Sequence, residues 1–487
     1  MNILFASSEV EPFSKTGGLA DVAGALPAAV AARGHEVAVM TPRYSGLRKP
    51  VKGKGVKIDI AIGSNIHTAE IIEGAIPAST GGAEVPVFFI GNEEYFDREE
   101  LYSTPEGDYP DNHLRFAFFA KALLETAREI GFKPDIVHLN DWQSAIAAVY
   151  LKTISVKDDF FGPTRTLLTI HNLGYQGLFE PETIEAVGLP QSLFDVEAME
   201  FYGKANFLKG GIVFSDAINT VSRKYADEIQ TPELGAGLDG ILKKRADRLF
   251  GILNGVDYAN WNPETDKFIA ANYSPGDMSG KESCKIDLLA EFGLPYNPGK
   301  PLIGMISRLA GQKGFDLIEK ALPELMIRDV QMVILGTGEK RYHDFFGSLK
   351  DEYSEKLAVK LTYDNALAHK IEAGSDMFLM PSLYEPCGLN QMYSLKYGTV
   401  PIVRATGGLE DTITEWNANG DGNGFKFHNY SPGSMMKSID DALKLFMDKS
   451  SWRKLEANGM AGDFSWGSSA RSYAELYEKM MTFGRLS

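Results

Sequence analysis

Two cations occupy a position in this sequence where a helix would ordinarily disfavour them. Arg308 and Lys313 lie in the segment SRLAGQKGF, between an apolar run and the helical pattern GFDLIEKALPEL. The N-terminus of a helix carries partial positive charge, so a lysine there lowers stability unless an anion lies nearby. Helix amides, the lysine charge and the forked arginine could together bind a phosphate. The spacing therefore favours a phosphate site, and the alternative is two solvated surface cations.

The phrase Thr-Gly-Gly-Leu occurs twice, in SKTGGLAD near the start of the chain and in ATGGLED almost four hundred residues later. Each copy follows an apolar strand pattern and precedes a helical one. A Gly-Gly turn that permits positive φ would explain either copy by itself. The matching context favours two related strand-to-helix turns. Lys15 precedes the first copy, so the phosphate argument made for Lys313 applies to it as well.

An acidic turn follows the strand pattern DMFLMPS. It consists of Glu385, Pro386, Cys387 and Gly388. Glu385 is either a carboxylate that the proline holds at a ligand site or an acid placed favourably near a helix N-terminus. Cys387 could be a nucleophile, but no base follows at an informative spacing. A free cysteine is more often a small buried hydrophobe, and this is the interpretation that we prefer.

Polar residues also follow the strand patterns of the first half of the chain. Asp141 and Trp142 come after DIVHLN, His171 after RTLLTI and Asn254 after FGIL. Ligands of open α/β sheets bind beyond the carboxyl ends of the strands, so these residues are site candidates. Asp141 could instead cap the following helix, and His171 could be a satisfied core histidine.

The elements that would position these residues form two alternating series. Apolar strand patterns alternate with helix-length amphipathic ones, first up to about residue 250 and again after residue 300. Strands with continuous apolar runs indicate parallel sheets covered on both faces. An interruption from Val51 to Gly91 predicts an inserted antiparallel meander, and an irregular stretch rich in Asn, Pro, Gly and Ser places the boundary near residues 250 to 260. The prediction is two doubly wound α/β domains, with a last helix that could belong to either.

Composition limits the class of protein. A chain of 487 residues is long enough for two domains, and its formal charge of −16 argues against nucleic acid or an anionic membrane as a general partner. Two cysteines form no disulfide framework, which favours a reducing, cytoplasmic location. The first residues carry no basic n-region, and no apolar run reaches the ~18 residues of a membrane span.

Several signatures are absent from the sequence. There is no Asp-x-Asp, no zinc-ligand spacing and no P-loop, so neither a metal nor a cofactor is expected. A dehydrogenase would need Gly-x-Gly-x-x-Gly after the first strand, and SKTGGLAD lacks that spacing. A non-catalytic glucan-binding protein would not need three cations, and a phosphorylase would need a lysine for pyridoxal phosphate.

Five segments together resemble bacterial glycogen synthases and plant starch synthases, in order and over essentially the whole chain. They are SEVEPFSKTGGLADVAGALP, TIHNLGYQG, GILNGVD, SRLAGQKG and PSLYEPCGLNQMYSLKYGTVPIVRATGGLEDT. The resemblance implies an α/β protein of the GT-B fold, with two Rossmann-like domains facing a central crevice. It further implies retaining transfer of glucose from ADP-glucose to the non-reducing end of an α-1,4-glucan such as glycogen. UDP-glucose is the alternative donor.

The resemblance also assigns domains and residues. Residues 1–250 would form the acceptor-side domain, with the helix of 466–487 packing back on it, and 251–465 would form the nucleotide-sugar domain. The residues expected to act in catalysis are Lys15, His171, Arg308, Lys313 and Glu385. Those expected to bind substrate are Gly17, Gly18, Asp141, Trp142, Asn254, Tyr363, Cys387, Gly388, Leu389, Thr406, Gly407 and Gly408. Gln143 departs from the family, which commonly has histidine there, and its role stays open.

The expected chemistry separates charge at the donor. Lys15, Arg308 and Lys313 would stabilise negative charge on the departing nucleoside diphosphate. Glu385 or the backbone of His171 would support oxocarbenium character on the sugar. Retention by a protein nucleophile and retention by front-face attack both remain open at this point.

Overall fold

The computed structural model describes residues 1–47, 55–77, 84–154, 158–349 and 352–484. The chain divides into two compact units. The first contains 1–221, 226–255 and 466–487, and the second contains 222–225 and 256–465. The chain passes from the first unit to the second after Gly255, shortly before the irregular stretch that begins at Asn260.

The strands follow one another along the described parts of the chain. They are β1 (Asn2–Ala6), β2 (Glu36–Pro42), β3 (Val56–Ile62), β4 (Asn65–Ile76), β5 (Val85–Gly91), β6 (Ser103–Thr104), β7 (Gly107–Asp108), β8 (Ile136–Asn140), β9 (Arg165–Ile170), β10 (Leu178–Phe179), β11 (Glu200–Phe201), β12 (Lys204–Asn206), β13 (Ala217–Thr220), β14 (Leu249–Gly251), β15 (Leu302–Ile306), β16 (Gln331–Leu335), β17 (Leu357–Lys360), β18 (Met377–Met380), β19 (Val400–Arg404) and β20 (Phe425–Phe427).

The α-helices of the described residues alternate with these strands. They are α1 (Gly18–Ala31), α2 (Glu93–Phe96), α3 (Asn112–Glu129), α4 (Asp141–Thr153), α5 (Thr183–Ala186), α6 (Phe207–Phe214), α7 (Arg223–Glu228), α8 (Asp239–Lys244), α9 (Ser279–Phe292), α10 (Phe315–Ile327), α11 (Lys340–Ser348), α12 (Asn365–Gly374), α13 (Asn390–Lys396), α14 (Gly407–Thr412), α15 (Pro432–Phe446), α16 (Lys449–Met460) and α17 (Trp466–Met481). Short 3₁₀ turns occupy Gln191–Leu193, Ala246–Arg248 and Gly311–Lys313.

The main sheet of the first unit has nine strands among the described residues, in the order β14-β13-β9-β8-β1-β2-β5-β4-β3. Pairing is parallel from β14 to β5 and antiparallel from β5 through β4 to β3. The antiparallel end confirms the meander predicted from Val51 to Gly91. Residues 51–54 and 78–83 of that prediction lie outside the described part of the chain.

Helices α1 and α17 pack on one face of this sheet and share its hydrophobic core with β1, β2 and β8. Two tyrosines of α17 also make buried hydrogen bonds to the sheet. The Tyr477 hydroxyl lies 2.8 Å from His138 Nδ1, and the Tyr473 hydroxyl accepts from Asn219 Nδ2 at 3.0 Å. His138 bonds to Thr169 through its other ring nitrogen. It is therefore a core histidine, and burial lowers its pKa to about 3.

The main sheet of the second unit is parallel throughout, with the order β17-β16-β15-β18-β19-β20 across its described residues. The strand order reverses between β15 and β18, as it does between β1 and β8 in the first unit. Such reversal points are where open α/β sheets bind ligands. Both domains are thus doubly wound, as predicted.

Sequence signals at the helix ends act as expected. Ser431 caps α15 through a hydrogen bond from Ser434 N, and Pro432 takes the first helical position, where its missing N–H costs nothing. Gly34 and Gly131 follow α1 and α3 with φ values of 87° and 69°. These are left-handed conformations that terminate a helix.

The predicted strands are all present, and some smaller elements were not predicted. Among the described residues, β10, β12 and β11 form a separate three-stranded antiparallel sheet, and β6 pairs with β7. These strands have two or three residues, too few to show a period of two. No helix of the described residues combines the length and the apolar character that crossing a membrane requires.

Candidate functional site

The reversal point of the second sheet brings Lys313 and Glu385 together. Lys313 Nζ lies 2.6 Å from Glu385 Oε2, and the same oxygen accepts from Ser382 Oγ at 2.9 Å. The side chains are only 20% and 8% exposed. Lys313 is therefore not a solvated surface cation, because it has a carboxylate partner within its own unit. Ser382 is a site residue that the sequence analysis missed.

A glycine allows the Lys313 turn to approach the strand that leads to Glu385. Gly314 has φ +79°, and a Cβ there would lie 2.2 Å from the Pro381 carbonyl oxygen. Lys313 ends the 3₁₀ turn Gly311–Lys313, and α10 begins just after Gly314. The cation thus lies before the helix N-terminus rather than inside its first turn.

Arg308 has a different environment from Lys313. It is exposed, and its Nη2 contacts Gln312 Oε1 at 3.4 Å. Gln312 in turn donates to the Tyr384 carbonyl at 3.3 Å and accepts from Leu383 N at 2.8 Å. Gln312, which sequence reasoning also missed, therefore links the segment bearing Arg308 to the segment bearing Glu385.

The second Thr-Gly-Gly-Leu turn packs against the backbone of the acidic turn, residues 385–388. Gly408 N donates to the carbonyls of Glu385 and Pro386 at 3.1 and 3.2 Å. A Cβ on Gly407 or Gly408 would lie 1.9 Å from the carbonyl oxygen of Glu385 or Cys387 respectively. Only glycine fits at either position.

The other predicted substrate-binding residues of this region are mostly buried. Thr406 and Cys387 have little exposed surface, and Gly388 adopts φ +69° just before Leu389 and α13. Gln391 Nε2 donates to the carbonyls of Cys387 and Gly388. The burial of Cys387 agrees with a small hydrophobe. The roles of these residues in binding stay predictions.

Tyr363 contrasts with this packed region. Its side chain is 79% exposed after β17, next to Asp364, which caps α12. An exposed aromatic ring is accessible for stacking on a planar ligand, and the expected role of Tyr363 in binding stays a prediction.

The first Thr-Gly-Gly-Leu turn is built differently from the second. A Cβ on Gly17 or Gly18 would meet no atom within 4 Å. Lys15 Nζ lies 2.5 Å from Asp21 Oδ1, and both side chains are partly exposed. The glycines of the first turn therefore face open space, whereas those of the second turn lie against backbone.

Asp141 follows β8, and its backbone has φ +53°, an uncommon conformation for a residue other than glycine. Its Oδ1 accepts from His171 N at 2.7 Å, so the carboxyl binds the segment after β9 instead of capping its own helix. His171 Nε2 lies 2.9 Å from Asn140 Oδ1. The ends of β8 and β9 are therefore joined by a polar network.

Burial changes the protonation behaviour of this network. It raises the pKa of Asp141 to about 7, and the negative charge of Glu9 adds to this effect, although the amides of His171 and Asn172 oppose it. Burial lowers the pKa of His171 to about 4. Near neutral pH the imidazole is therefore uncharged, and Asp141 titrates within the physiological range.

Trp142 packs inside an aromatic cluster. Its ring centroid lies 4.9 Å from that of Phe116 and 5.8 Å from that of Phe179, and a Cβ on Gly177 would lie 2.5 Å from the indole. Only 8% of the residue is exposed. The indole is mainly a core side chain here, and its expected contact with sugar stays a prediction.

Among the described residues of the first unit, three buried amide oxygens have no hydrogen-bond partner, namely Asn254 Oδ1, Gln143 Oε1 and Asn219 Oδ1. Asn254 and Gln143 are 8% and 7% exposed. A buried acceptor without a donor is rare in folded proteins. Asn254 was expected to bind substrate.

Solved structures identify the class of fold. The structure superimposes with a TM-score of 0.88 on the catalytic domain of starch synthase IV from Arabidopsis thaliana bound to ADP and acarbose, at 32% identity over 99% of both chains. A sucrose-phosphate synthase from Thermosynechococcus elongatus shares the fold, with a TM-score of 0.60 and 16% identity over 98% of both chains. Together with the polar strand ends, these likenesses define a glycosyltransferase of the GT-B fold.

Related sequences then identify the family. The starch synthase catalytic domain model matches residues 2–244, and the glycosyl transferases group 1 model matches residues 290–458. The chain is 51% identical over 98% of both sequences to a glycogen synthase from Koribacter versatilis, and 44% identical over 99% of both to one from Thermotoga petrophila. The chain belongs to the family of bacterial glycogen synthases and plant starch synthases, which confirms the resemblance, and it is a glucosyltransferase of that class.

The two Thr-Gly-Gly-Leu turns generate a matched prediction. Gly408→Ala should prevent normal folding or lower the melting temperature by many degrees, because its Cβ would lie 1.9 Å from the Cys387 carbonyl oxygen. Gly17→Ala should leave the melting temperature within about 2 °C of wild type, since its φ of −149° is open to alanine. Thermal unfolding of both variants tests this, and equal effects would contradict it.

Asp141 generates a prediction on pH. Its pKa is raised from 3.8 to about 7 in the folded state, so the unfolded state loses its proton first and ionisation opposes folding. Asp141→Asn should therefore gain stability relative to wild type as the pH rises from about 4 to about 7, by at most about 1.4 kcal/mol per pH unit. Melting temperatures of both proteins across that range measure the difference. A difference that is flat or reversed would show that the folded carboxyl is ionised throughout.

Proposed function

We propose that the enzyme transfers glucose from ADP-glucose, with retention of configuration, to the non-reducing end of an α-1,4-glucan. The observation that carries the proposal is the contact of Lys313 with Glu385 at the reversal point of the second sheet, with Arg308 exposed on a linked segment. The related starch synthase, bound to ADP and acarbose, supports both the nucleotide and the glucan.

The chemistry requires charge to be stabilised at two places. When the nucleoside diphosphate departs, negative charge grows on its oxygens and positive charge on the sugar. Arg308 and Lys313 would stabilise the first, assisted by Lys15 of the first unit. The carboxylate of Glu385 would stabilise the second. Because Lys313 binds Glu385 already, its charge is shared between the carboxylate and the departing phosphate.

The environment of Glu385 favours front-face attack over a covalent intermediate on that residue. Its Oε2 receives both the Lys313 ammonium and the Ser382 hydroxyl. Two donors on one oxygen lower the nucleophilicity of the carboxylate, so it is better suited to electrostatic stabilisation than to bond formation. The acceptor hydroxyl would then attack on the face from which the diphosphate leaves.

Tyr363 supplies the basis for preferring an adenine donor. Its exposed ring could stack on the base, and a purine offers more stacking area than a pyrimidine. Because most of the Tyr363 side chain is exposed, the ring is not packed in the hydrophobic core.

The donor assay tests this proposal directly. With glycogen present, kcat/KM for ADP-glucose should exceed that for UDP-glucose at least tenfold, followed as release of ADP or UDP. Tyr363→Ala should reduce this ratio, because stacking contributes about 1–3 kcal/mol per base. Equal use of both donors would refute the ADP preference and leave the glucosyltransferase assignment intact. No glucan-dependent release from either donor would refute the function itself.

Arg308 and Lys313 should respond differently to removal. Arg308→Ala should lower turnover by about 10²–10³ while leaving the melting temperature unchanged, because the side chain is exposed and its hydrogen bond to Gln312, at 3.4 Å, is long. Lys313→Ala should lower both, since it leaves the nearly buried carboxylate of Glu385 without its cation.

Arg341→Ala is the matched control, because Arg341 is an exposed arginine that forms a surface ion pair with Glu319 and lies over the Tyr342 ring at 4.7 Å. It should keep wild-type turnover and stability. Wild-type turnover in Arg308→Ala would remove Arg308 from the catalytic residues.

A further inference from the structure

A single buried carboxylate holds the first Thr-Gly-Gly-Leu turn in place. Glu9 is 3% exposed and lies just after β1. It accepts hydrogen bonds from Thr16 N at 2.5 Å, Thr16 Oγ1 at 2.6 Å, Gly17 N at 3.2 Å and the Tyr102 hydroxyl at 2.7 Å. Both oxygens are used, and three of the four donors belong to the turn that directly follows Lys15.

We propose that Glu9 is a positioning residue for the reaction, which acts by fixing the loop that presents Lys15. This rests on the proposed role of Lys15 in binding the donor. Glu9 is an anion internal to the protein, and it occupies backbone amides at the start of a helix where a phosphate could otherwise bind.

The rest of the loop depends on the same arrangement. Val10 and Ser14 form an isolated bridge that closes the loop, and Ser14 Oγ accepts from Val10 N at 3.3 Å. Glu11 N donates to the Ala20 carbonyl at 3.0 Å. Lys15 thus lies in the chain between Ser14, which closes the loop, and Thr16, which binds the Glu9 carboxylate, and its ammonium is paired with Asp21. A Cβ on Gly17 or Gly18 would meet no atom within 4 Å, so packing contributes little to fixing the turn there and the hydrogen bonds to Glu9 contribute more.

The geometry also limits how the first unit can bind an anion. Because Thr16 N and Gly17 N already donate to Glu9, they are not available to a phosphate. A diphosphate approaching this turn would have to meet the Lys15 ammonium instead of those amides. The role of the Lys15 side chain therefore depends on the Glu9 carboxylate. This dependence can be measured as the coupling between the two residues in kcat/KM.

Tyr102 gives a milder way to disturb the carboxylate. Its hydroxyl donates to Glu9 Oε1 and lies 2.7 Å from Ser8 Oγ, so it ties the carboxylate to a segment outside the loop. Tyr102→Phe removes one donor and keeps the ring, the charge of Glu9 and both bonds to the backbone of the turn.

A double-mutant cycle tests the proposal, with Glu9→Gln, Lys15→Ala and the double variant. Glu9→Gln should lower kcat/KM for the donor by about tenfold to a hundredfold, since a small misplacement of a binding group has effects of this size. In the Lys15→Ala background the same change should lower kcat/KM less than threefold, because the group that Glu9 positions is gone. The loss of melting temperature should be the same in both backgrounds. Glu36→Gln, an exposed change at the start of β2, is the control and should be silent.

Three results would overturn the proposal. These are an equal loss of kcat/KM in both backgrounds, a lowered melting temperature without a change in kcat/KM, or a wild-type kcat/KM in Tyr102→Phe. The last result decides the matter if Glu9→Gln does not fold, since Tyr102→Phe should show a smaller loss in the same direction. Failure of the proposed function is seen separately, as no glucan-dependent release of ADP or UDP by the wild-type enzyme. A Lys15→Ala variant with wild-type kcat/KM would remove the role of Lys15 on which this proposal rests.

Discussion

The ion pair between Lys313 and Glu385 is the interaction on which the second unit's site depends. Its two residues follow β15 and β18, which are neighbours only because the order of the parallel sheet reverses between them. The pair requires the left-handed Gly314, which lets one loop lie against Pro381, and it requires Gly407 and Gly408, which let another lie against the acidic turn. Burial of the Glu385 carboxylate carries a desolvation penalty, which the Lys313 cation and the Ser382 hydroxyl offset. The ion pair and the glycines therefore depend on each other, because the two charges meet only where the glycines allow the loops to approach closely.

The sequence was sufficient for those features that depend on a long repeated pattern. Strands such as β15 and β18 are continuous apolar runs, so their existence and their parallel pairing could be predicted. The rule that ligands bind beyond the carboxyl ends of such strands places Lys313 and Glu385 at the same edge of the sheet. The direct contact between the two side chains could not be predicted, because an ion pair depends on side-chain geometry and not on the periodicity of the sequence.

Other features of the site depended on tertiary neighbours and could not be predicted. The two Thr-Gly-Gly-Leu phrases have the same letters, yet one lies against backbone and the other against open space. Asp141 has the sequence of a helix cap but binds the amide of His171, because β8 and β9 are adjacent in the sheet. Glu9 carried no signal at all, since an acid a few residues before a lysine has no characteristic spacing. The short strands β10, β11 and β12 were missed for the same physical reason, which is a lack of enough residues to form a pattern.

Helix α17 has a consequence for the order in which the protein can fold during synthesis. The first unit takes its core from both ends of the chain, since Tyr473, Tyr477 and Met480 pack with β1 and α1. A ribosome makes residues 1–255 before the second unit and α17 after it, so the part of the first unit's core that α17 covers stays uncovered while residues 256–465 are made. Domains usually fold in order from the N-terminus during synthesis. Here the core of the first unit is completed only after the second unit has been made. While residues 256–465 are made, the uncovered part of this core is open to chaperones, and a stop codon just before Trp466 would remove core side chains from the first unit and not from the second, which lies just before it in the sequence.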